Sequence, residues 1–454
     1  MTEMVDVVVV GMGPGGEEVA GALAQAGLRV IGVERELVGG ECPYWGCVPS
    51  KMMIRSGDLL AEGRRIPIMA GGSRVDPDWS MVARRIRAEA TDEWDDKVAV
   101  DRFLRKGGEF VRGSARLVGG YRVVAGSREF EASRAIVLNV GTTSTIPPIP
   151  GLAGLRYWTN REAIAAQSLP TSLAVLGGGA IGVELAQAFA RFNVGVTIIE
   201  AAPRLLATEE PEAGDLLADV LREEGIDVRL GTRAESVAAA GAGVAIRLSS
   251  GATLSVDRLL VSVGRHPNID GLGLEEGGGS LEQGHIGVDN HMRAGERLWA
   301  VGDATGHGAF THVSMYQARI AVADILGRPH AEADYHALPR VTFTDPEIGA
   351  AGLTEAQARA SGIRVKTGVA DQSKTARGWI HKAGNRGLIK LVEDVDRGHL
   401  VGATAMSPAG GEILGLLTLA VQARVPTGQL REMIYAYPTF HRGMEDALAD
   451  LASS

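Results

Sequence analysis

The feature that most constrains this chain is a local pattern that occurs twice. A β-branched run, Val5-Asp6-Val7-Val8-Val9-Val10, enters Gly11-Met12-Gly13-Pro14-Gly15-Gly16, then a helical stretch from Glu17 to Ala26, a strand over 28–33, and Glu34. The same order returns with Leu173-Ala174-Val175-Leu176, Gly177-Gly178-Gly179-Ala180-Ile181-Gly182, a helix to Arg191, a strand over 195–199, and Glu200. In both copies the acid stands 23 residues beyond the first glycine (34 − 11 and 200 − 177). A short apolar run without alternation reads as a strand buried on both faces of a parallel sheet. Gly11, Gly13 and Gly16, like Gly177, Gly179 and Gly182, fit GxGxxG, whose glycines allow a tight turn, close approach of backbone to a pyrophosphate, and packing of helix on strand. The following helix points free N–H groups and a positive dipole end at the phosphates, and the acid binds ribose hydroxyls. Two copies imply two dinucleotides, or one duplicated fold with a dead copy. Retention of all three glycines and the acid in each favours two working sites.

Between the copies, Gly39-Gly40-Glu41-Cys42-Pro43-Tyr44-Trp45-Gly46-Cys47-Val48-Pro49-Ser50-Lys51 holds both cysteines of the 454-residue chain. In a regular helix, residues five apart point in different directions, with Cα atoms beyond the roughly 7 Å reach of a disulfide. Pairing Cys42 with Cys47 therefore needs an irregular backbone, which Gly39, Gly40 and Gly46 allow and Pro43 and Pro49 restrict. A disulfide over so short a loop is reducible rather than structural. The alternatives are two buried thiols or half of a metal site. No second cysteine pair and no histidine cluster at ligand spacing supports the latter, so no metal is expected.

The length allows two to four domains, and 45% hydrophobic residues are ample for their cores. A net charge of −9 with mixed signs and no basic block argues against nucleic acid as the main partner. The N-terminus carries no basic, apolar leader, and no uncharged run approaches the roughly 18–20 residues of a membrane helix, so a cytoplasmic protein without membrane partners is expected. In that reducing compartment a lone, close-spaced cysteine pair points to catalysis.

Residues 52–107 read as helical with a solvated charged face. Residues 109–140 read as a small antiparallel meander followed by a return strand ending at Gly141-Thr142. The proline-dense Ile146–Gly151 marks a domain boundary. A hairpin region over 237–263 ends at Gly264-Arg265-His266-Pro267-Asn268, and 271–280 reads as a surface loop. Leu298-Trp299-Ala300-Val301 leads to Gly302-Asp303-Ala304, an acid at a strand end where ligands of α/β sheets bind, or simply a helix cap. The segment from about Leu338 contains an apolar helix over 413–423, fit for dimerisation or for an ordinary core.

Over essentially its whole length the chain resembles the FAD-dependent pyridine nucleotide-disulfide oxidoreductases. The resemblance rests on Gly-Gly-x-Cys-x4-Cys-x-Pro-Ser-Lys after the first GxGxxG, the second GxGxxG, Gly302-Asp303, and Gly264-Arg265-x-Pro267-Asn268. It implies an α/β fold of two Rossmann-like dinucleotide-binding domains, for FAD and NAD(P), plus a C-terminal α+β dimerisation domain. The expected divisions are 1–150 and 268–336 for FAD, 151–267 for NAD(P), and 337–454 for a homodimer with a shared active site. The family reading places Gly11, Gly13, Gly15, Gly16, Glu34, Arg35, Gly40, Ala115, Gly141 and Asp303 with FAD, Ala115 near the adenine and Asp303 at the ribityl chain, and counts Gly264 among the cofactor-binding residues. It places Gly177, Gly179, Gly182 and Glu200 with the nicotinamide nucleotide, and pairs Lys51 with Glu184 near the flavin N5. Glu200 favours NADH, since a carboxylate repels a 2′-phosphate, although Arg204 could accommodate NADPH. By resemblance, Cys47 is the thiolate beside the flavin and Cys42 the thiol that attacks the acceptor.

The chain departs from the family where the acceptor is handled. The family's disulfide reductases read His-x-His-Pro-Thr followed by a Glu; here the histidine positions are Tyr435 and Tyr437, and Arg442 stands five residues after Tyr437. A tyrosine, with a reference pKa of about 10, is a poor base at neutral pH. Tyr437 is nevertheless the expected catalytic residue here, with nearby His441 a possible substitute. Tyrosine at this position is similar to mercuric reductase, but that enzyme's C-terminal cysteine pair is absent, the chain ending Asp450-Leu451-Ala452-Ser453-Ser454. Tyr44 and Trp45 form either an aromatic wall for a planar acceptor or a packing contact. The expected function is an NAD(P)H-dependent flavoprotein reductase of a small-molecule acceptor: an unusual disulfide, a metal ion or a quinone. Dihydrolipoyl dehydrogenase or mercuric reductase proper, and a non-catalytic flavin-bound redox sensor, are the alternatives.

Overall fold

The structure is a computed structural model and describes residues 2–453. Its contacts divide the chain into two compact units. The first comprises the residues up to Ser50 with Arg84–Thr145 and Gly264–Asp334; the second comprises Lys51–Ala83, Ile146–Val263 and Tyr335 onward.

In the first unit β1 (Thr2–Val10), α1 (Pro14–Gln25) and β2 (Val30–Glu34) form the expected strand–helix–strand, with β1 parallel to β2 at Val7↔Val30 and Val10↔Val33. β1 also runs parallel to the Arg128–Leu138 strand, which in turn pairs in parallel with Leu298–Ala300. The valine run is buried on both faces because side chains alternate across a strand. Val7 and Val9 pack with Val19, Leu23 and Ala318, whereas Val8 and Val10 pack with Leu117, Ile136 and Leu298.

Two sequence expectations need correction here. Glu109–Arg112 is not part of an antiparallel meander but the parallel edge partner of β2 (Ile31↔Glu109). The meander begins at Ala115, as Ala115–Leu117 and Arg122–Ala125 fold back antiparallel onto Arg128–Leu138. The stretch 271–280 is more than a surface loop, because Leu272 and Leu274 are buried against the same core face as Leu117. At Gly273, with φ +72°, a Cβ would lie 2.3 Å from the Leu117 carbonyl oxygen, so the glycine permits the close approach.

The second unit repeats the nucleotide-binding architecture. Asp227–Arg229, Gly195–Ile199, Ser172–Leu176 and Arg258–Val261 lie side by side in that order, all parallel. A three-stranded antiparallel sheet over 234–256 packs against it in one core. The C-terminal part is a five-stranded antiparallel sheet, His399–Ser407 at its centre between Glu347–Gly352 and Leu388–Asp394, backed by the Gly410–Gln422 and Gly443–Ser453 helices. The apolar helix puts Ile413, Leu417 and Val421 into this core and leaves Leu419 on the outside. Among the described residues no helix is long and apolar enough to cross a membrane.

Candidate functional site

The two glycine turns have closely matching geometry. Gly11 (φ +89°) and Gly177 (φ +105°) sit in the left-handed region, and their N–H groups donate to the Val33 and Ile199 carbonyls at 2.8 and 3.0 Å. A Cβ on Gly11 would lie 2.3 Å from the Asn139 oxygen, and one on Gly177 2.4 Å from the Ser262 oxygen. One turn into each helix, a Cβ on Gly16 would meet the Gly11 oxygen at 2.0 Å and one on Gly182 the Gly177 oxygen at 2.2 Å. Gly13 and Gly179 cap the Pro14–Gln25 and Ala180–Arg191 helices in extended conformation, with Pro14 opening the first.

The acids match too. Glu34 Oε2 accepts from Met12 N at 2.8 Å and Oε1 from Glu36 N at 2.8 Å. Glu200 Oε2 accepts from Gly178 N at 2.5 Å and Oε1 from Ala202 N at 2.6 Å. Each carboxylate is thus locked to the residue after the first glycine of its own turn, at the tip of the second strand. Of the other residues expected near FAD, Gly15 is buried, with a Cβ position 2.2 Å from Ser314 Oγ. Gly40 (φ +65°) approaches Gly13, to whose Cα its Cβ would come within 2.9 Å. Ala115 opens its strand half-buried, while Arg35 is exposed and reaches Glu36 at 3.8 Å. Gly141 accepts at its carbonyl from Asn268 N at 3.0 Å, and Gly264 from Thr145 N at 2.9 Å, so these two segments lie side by side.

Asp303 is fixed by a network that sequence reading did not find. Thr142 Oγ1 donates to Asp303 at 3.1 Å while accepting from Arg265 Nε at 2.8 Å, and Arg265 reaches Glu41, beside Cys42, at 3.6 Å. Burial pushes the Asp303 carboxyl above its ordinary value, with the Arg265 charge opposing. Both Thr142 and Arg265 lie in stretches the sequence singled out, but nothing in the sequence sets them against Asp303.

The cysteine loop shows how residues five apart fit an irregular backbone. α2 (Glu41–Trp45) stops at Gly46 (φ −137°, ψ −114°), outside the helical region, and α3 (Cys47–Met69) starts anew at Cys47. Cys42 is half-buried and Cys47 exposed. Cys47 Sγ lies 3.4 Å from Thr311 Oγ1, at the start of the Thr311–Ile325 helix. Either atom of that contact can donate; with the hydroxyl as donor, it and the helix start both favour an anionic sulfur. Tyr44 is buried, and burial, with Asp96 and Glu17 nearby, pushes its phenol up to about 12. Trp45 stacks on Trp94, ring centroids 5.3 Å apart. The Tyr44 side chain is therefore a packing element.

Lys51, one turn beyond Cys47 on α3, meets Glu184 as expected, Nζ to Oε2 at 2.9 Å. Glu184 is buried and its Oε1 accepts from Phe343 N at 2.8 Å, while the Lys51 ammonium sits 4.6 Å from the Phe343 ring centroid. Both carboxylate oxygens are thus engaged, which fixes the lysine's position.

At the C-terminal segment the two tyrosines part company. Tyr435 is buried, donates to the Leu430 carbonyl at 2.9 Å, and is pushed by burial up to about 12, so it is core. Tyr437 is 67% exposed, with the Arg442 guanidinium 4.9 Å from its ring centroid. His441 Nε2 lies 3.4 Å from Thr439 Oγ1.

Against the expectation of no histidine cluster, His291, Asp324 and His330 converge in the first unit. Their separation along the chain hid them.

The glycine cradles, the locked acids and the part-buried Asp303 carboxyl fit two dinucleotides. Comparison with known proteins bears on the same residues. The sequence signature described as pyridine nucleotide-disulphide oxidoreductase matches residues 5–322, and that of the family's dimerisation domain matches 338–448. The chain is 34% identical to a dihydrolipoyl dehydrogenase of Chlorobaculum tepidum, over 99% of this chain and 97% of that one. It is also 34% identical to a mercuric reductase of Acidithiobacillus ferrooxidans, over 96% and 80%. Among solved structures it is similar to a Cu(II) complex of the HOCl-induced flavoprotein disulfide reductase RclA from Escherichia coli (TM-score 0.84, 26% identity, 99% of each chain). It is similar likewise to LpdA from Mycobacterium tuberculosis (TM-score 0.86, 27% identity, 98% and 99%).

Proposed function

We propose, from the premise that this chain belongs to the pyridine nucleotide-disulphide oxidoreductase family and is an enzyme that binds FAD and NAD(P)H, that it reduces a small acceptor through Cys42 and Cys47, with a metal ion as the favoured acceptor. Bound FAD supplies hydride acceptance from the nicotinamide and passes the electron pair on. The first glycine turn with Glu34 and Asp303 holds FAD; the second, with Glu200, holds the nicotinamide nucleotide. NADH is favoured because Glu200, held on Gly178 N at 2.5 Å, is the acid that would meet the ribose hydroxyls and repel a 2′-phosphate, whereas Arg204 turns its Nη2 to the Ala207 carbonyl at 2.8 Å.

An arriving electron pair breaks the Cys42–Cys47 bond and leaves two sulfurs. Thr311 and the α3 start hold Cys47 as thiolate, and Cys42 engages the acceptor. With a metal acceptor both thiolates bind the ion, the bond re-forms, and the pair reduces one ion by two electrons or two ions by one. With a disulfide acceptor, Cys42 forms a mixed disulfide and expels one thiolate; Cys47 then attacks Cys42, re-forming the bond and releasing the second.

The observation that carries the metal reading is an exposed Tyr437 with the half-buried Arg442 over its ring, where the family's disulfide reductases place a histidine base and its carboxylate. Metal reduction by thiolates needs no such base. The relatives named mercuric reductase and the Cu(II) complex of RclA support the same choice. The matched dimerisation domain supports a homodimer, in which each protomer lends its Tyr437 to its partner's thiols.

The test is steady-state NADH turnover with cupric ion, an aromatic disulfide and a naphthoquinone, in wild type and Cys42→Ser. Cupric and disulfide rates that collapse in the variant support the proposal. A cupric rate that survives overturns it, and turnover confined to the quinone reassigns the acceptor.

A further inference from the structure

His291 lies in the turn before Arg293–Gly295, Asp324 in the last turn of the Thr311–Ile325 helix, and His330 six residues further on. One ligand atom from each lies within 4.8 Å of the others. The imidazoles meet edge to face, ring planes at 83°, with His291 Nδ1 3.0 Å from His330 Nε2. The other His330 nitrogen, Nδ1, lies 2.9 Å from the Arg328 carbonyl, which can only accept. The His330 proton therefore sits on Nδ1, and Nε2 presents its lone pair. His291 Nε2 lies 4.0 Å from Glu332 Oε1, beyond hydrogen-bond reach, so the His291 proton sits on Nδ1 and is donated to His330 Nε2 at 3.0 Å. Ligating histidines are oriented as His330 is, with the far nitrogen tied to a carbonyl or carboxylate.

Without an ion one proton bridges the 3.0 Å between the two rings, and an ion set to one side of that line would replace it. With metal–nitrogen bonds of about 2.0–2.1 Å that separation corresponds to a ligand–metal–ligand angle of roughly 95°, suited to a tetragonal ion and a few tenths of an ångström short of the tetrahedral value. Asp324 Oδ1 stands 3.8 Å from His330 Nε2. The carboxylate's Oδ2 accepts from Arg293 Nε at 2.6 Å and Trp299 Nε1 at 2.8 Å, whereas Oδ1 accepts only from Arg293 Nη2 at 2.7 Å and keeps a lone pair for an ion. Both rings are reachable from water, with side-chain exposures of 35% and 16%.

We propose that His291 and His330, with Asp324 as third ligand, form a binding site for a borderline divalent transition ion such as Zn2+ or Cu2+, using neither cysteine. The ion would staple the segment after the Thr311–Ile325 helix to the Asp289–Met292 turn. These already share Ala333 N to the Asn290 carbonyl at 2.8 Å and Asn290 Nδ2 to Glu332 at 3.2 Å.

The test uses tag-free, flavin-loaded protein carrying Cys42→Ser and Cys47→Ser, so that thiolates do not compete. Equilibrium dialysis against zinc chloride and then cupric chloride is expected to show one ion per chain. Affinity should fall by about tenfold or more in His291→Ala and in His330→Ala. Cu(II) paramagnetic resonance of the histidine-intact protein, which requires no further variant to fold, should show two coupled imidazole nitrogens. Absence of a stoichiometric ion, coupling to other than two nitrogens, or unchanged affinity in both folded histidine variants would overturn the proposal.

Discussion

Gly16 and Gly182 occupy the same place in the two dinucleotide turns, and the structure makes them a matched pair of probes. Neither has a positive φ, so the demand for glycine is steric alone: a methyl group would lie 2.0 Å from the Gly11 oxygen and 2.2 Å from the Gly177 oxygen. In each copy the helix must back off its own turn by about 1 Å, an overpacking that typically costs about 1–3 kcal/mol. Where the displaced turn is also the phosphate cradle, that cost falls on ligand affinity, about 5- to 150-fold at 1.4 kcal/mol per decade. Gly182→Ala should purify with a full complement of flavin and show NADH affinity weakened within that range. Gly16→Ala should lose flavin, read from the ratio of 450 nm to 280 nm absorbance. A Gly182→Ala protein depleted of flavin but binding NADH normally would refute the assignment of the copies, and full retention of both ligands in both variants would refute the steric argument.

Three further outcomes are expected. Burial pushes the Asp58 carboxyl up to about 6, with Arg191 only partly opposing, so the native state holds a proton that the unfolded chain releases near its reference value of about 3.9. Its contribution to stability is greatest below that value and declines as pH rises to about 6; Asp58→Asn should therefore gain on wild type by at most about 3 kcal/mol between pH 4 and 8 in urea unfolding, and an equal offset at both pH values would contradict this. Thr311→Val removes the hydroxyl 3.4 Å from Cys47 Sγ, and alkylation of Cys47 in reduced Cys42→Ser protein should shift by roughly one pH unit toward alkaline; an unmoved profile would discard the thiolate role. Tyr437→Phe removes a hydroxyl contact rather than a base, and should lower acceptor kcat/KM by about five- to tenfold while leaving NADH reduction of the flavin intact; unchanged rates would remove Tyr437 from the site.

Much of this was legible in the sequence because the informative contacts are short-range or belong to a repeated unit. Strand, turn, helix and acid follow one another, so Gly11–Glu34 and Gly177–Glu200 can be read without knowing any tertiary contact. The break at Gly46 follows from its glycine and the flanking prolines. The rest depends on residues that only the fold brings together. Glu109–Arg112 looks like another meander strand because its parallel partner, β2, is 75 or more residues earlier. The Asp303–Thr142–Arg265 network joins three separate segments. Arg191 ends a helix in the sequence, yet it is buried and bridges Asp58, Glu224 and Asp345. His291 and His330, 39 residues apart, carry no spacing that marks them as neighbours.

The most direct test of the central claim, that electrons leave through Cys42 and Cys47, is an anaerobic count of reducing equivalents. The oxidised protein is titrated with NADH under argon, following flavin absorbance and free thiols together. Wild type should consume about two equivalents per chain, exposing two thiols, and Cys42→Ser about one, exposing none beyond those already present. One equivalent in both proteins, with no thiols appearing in wild type, would contradict the account.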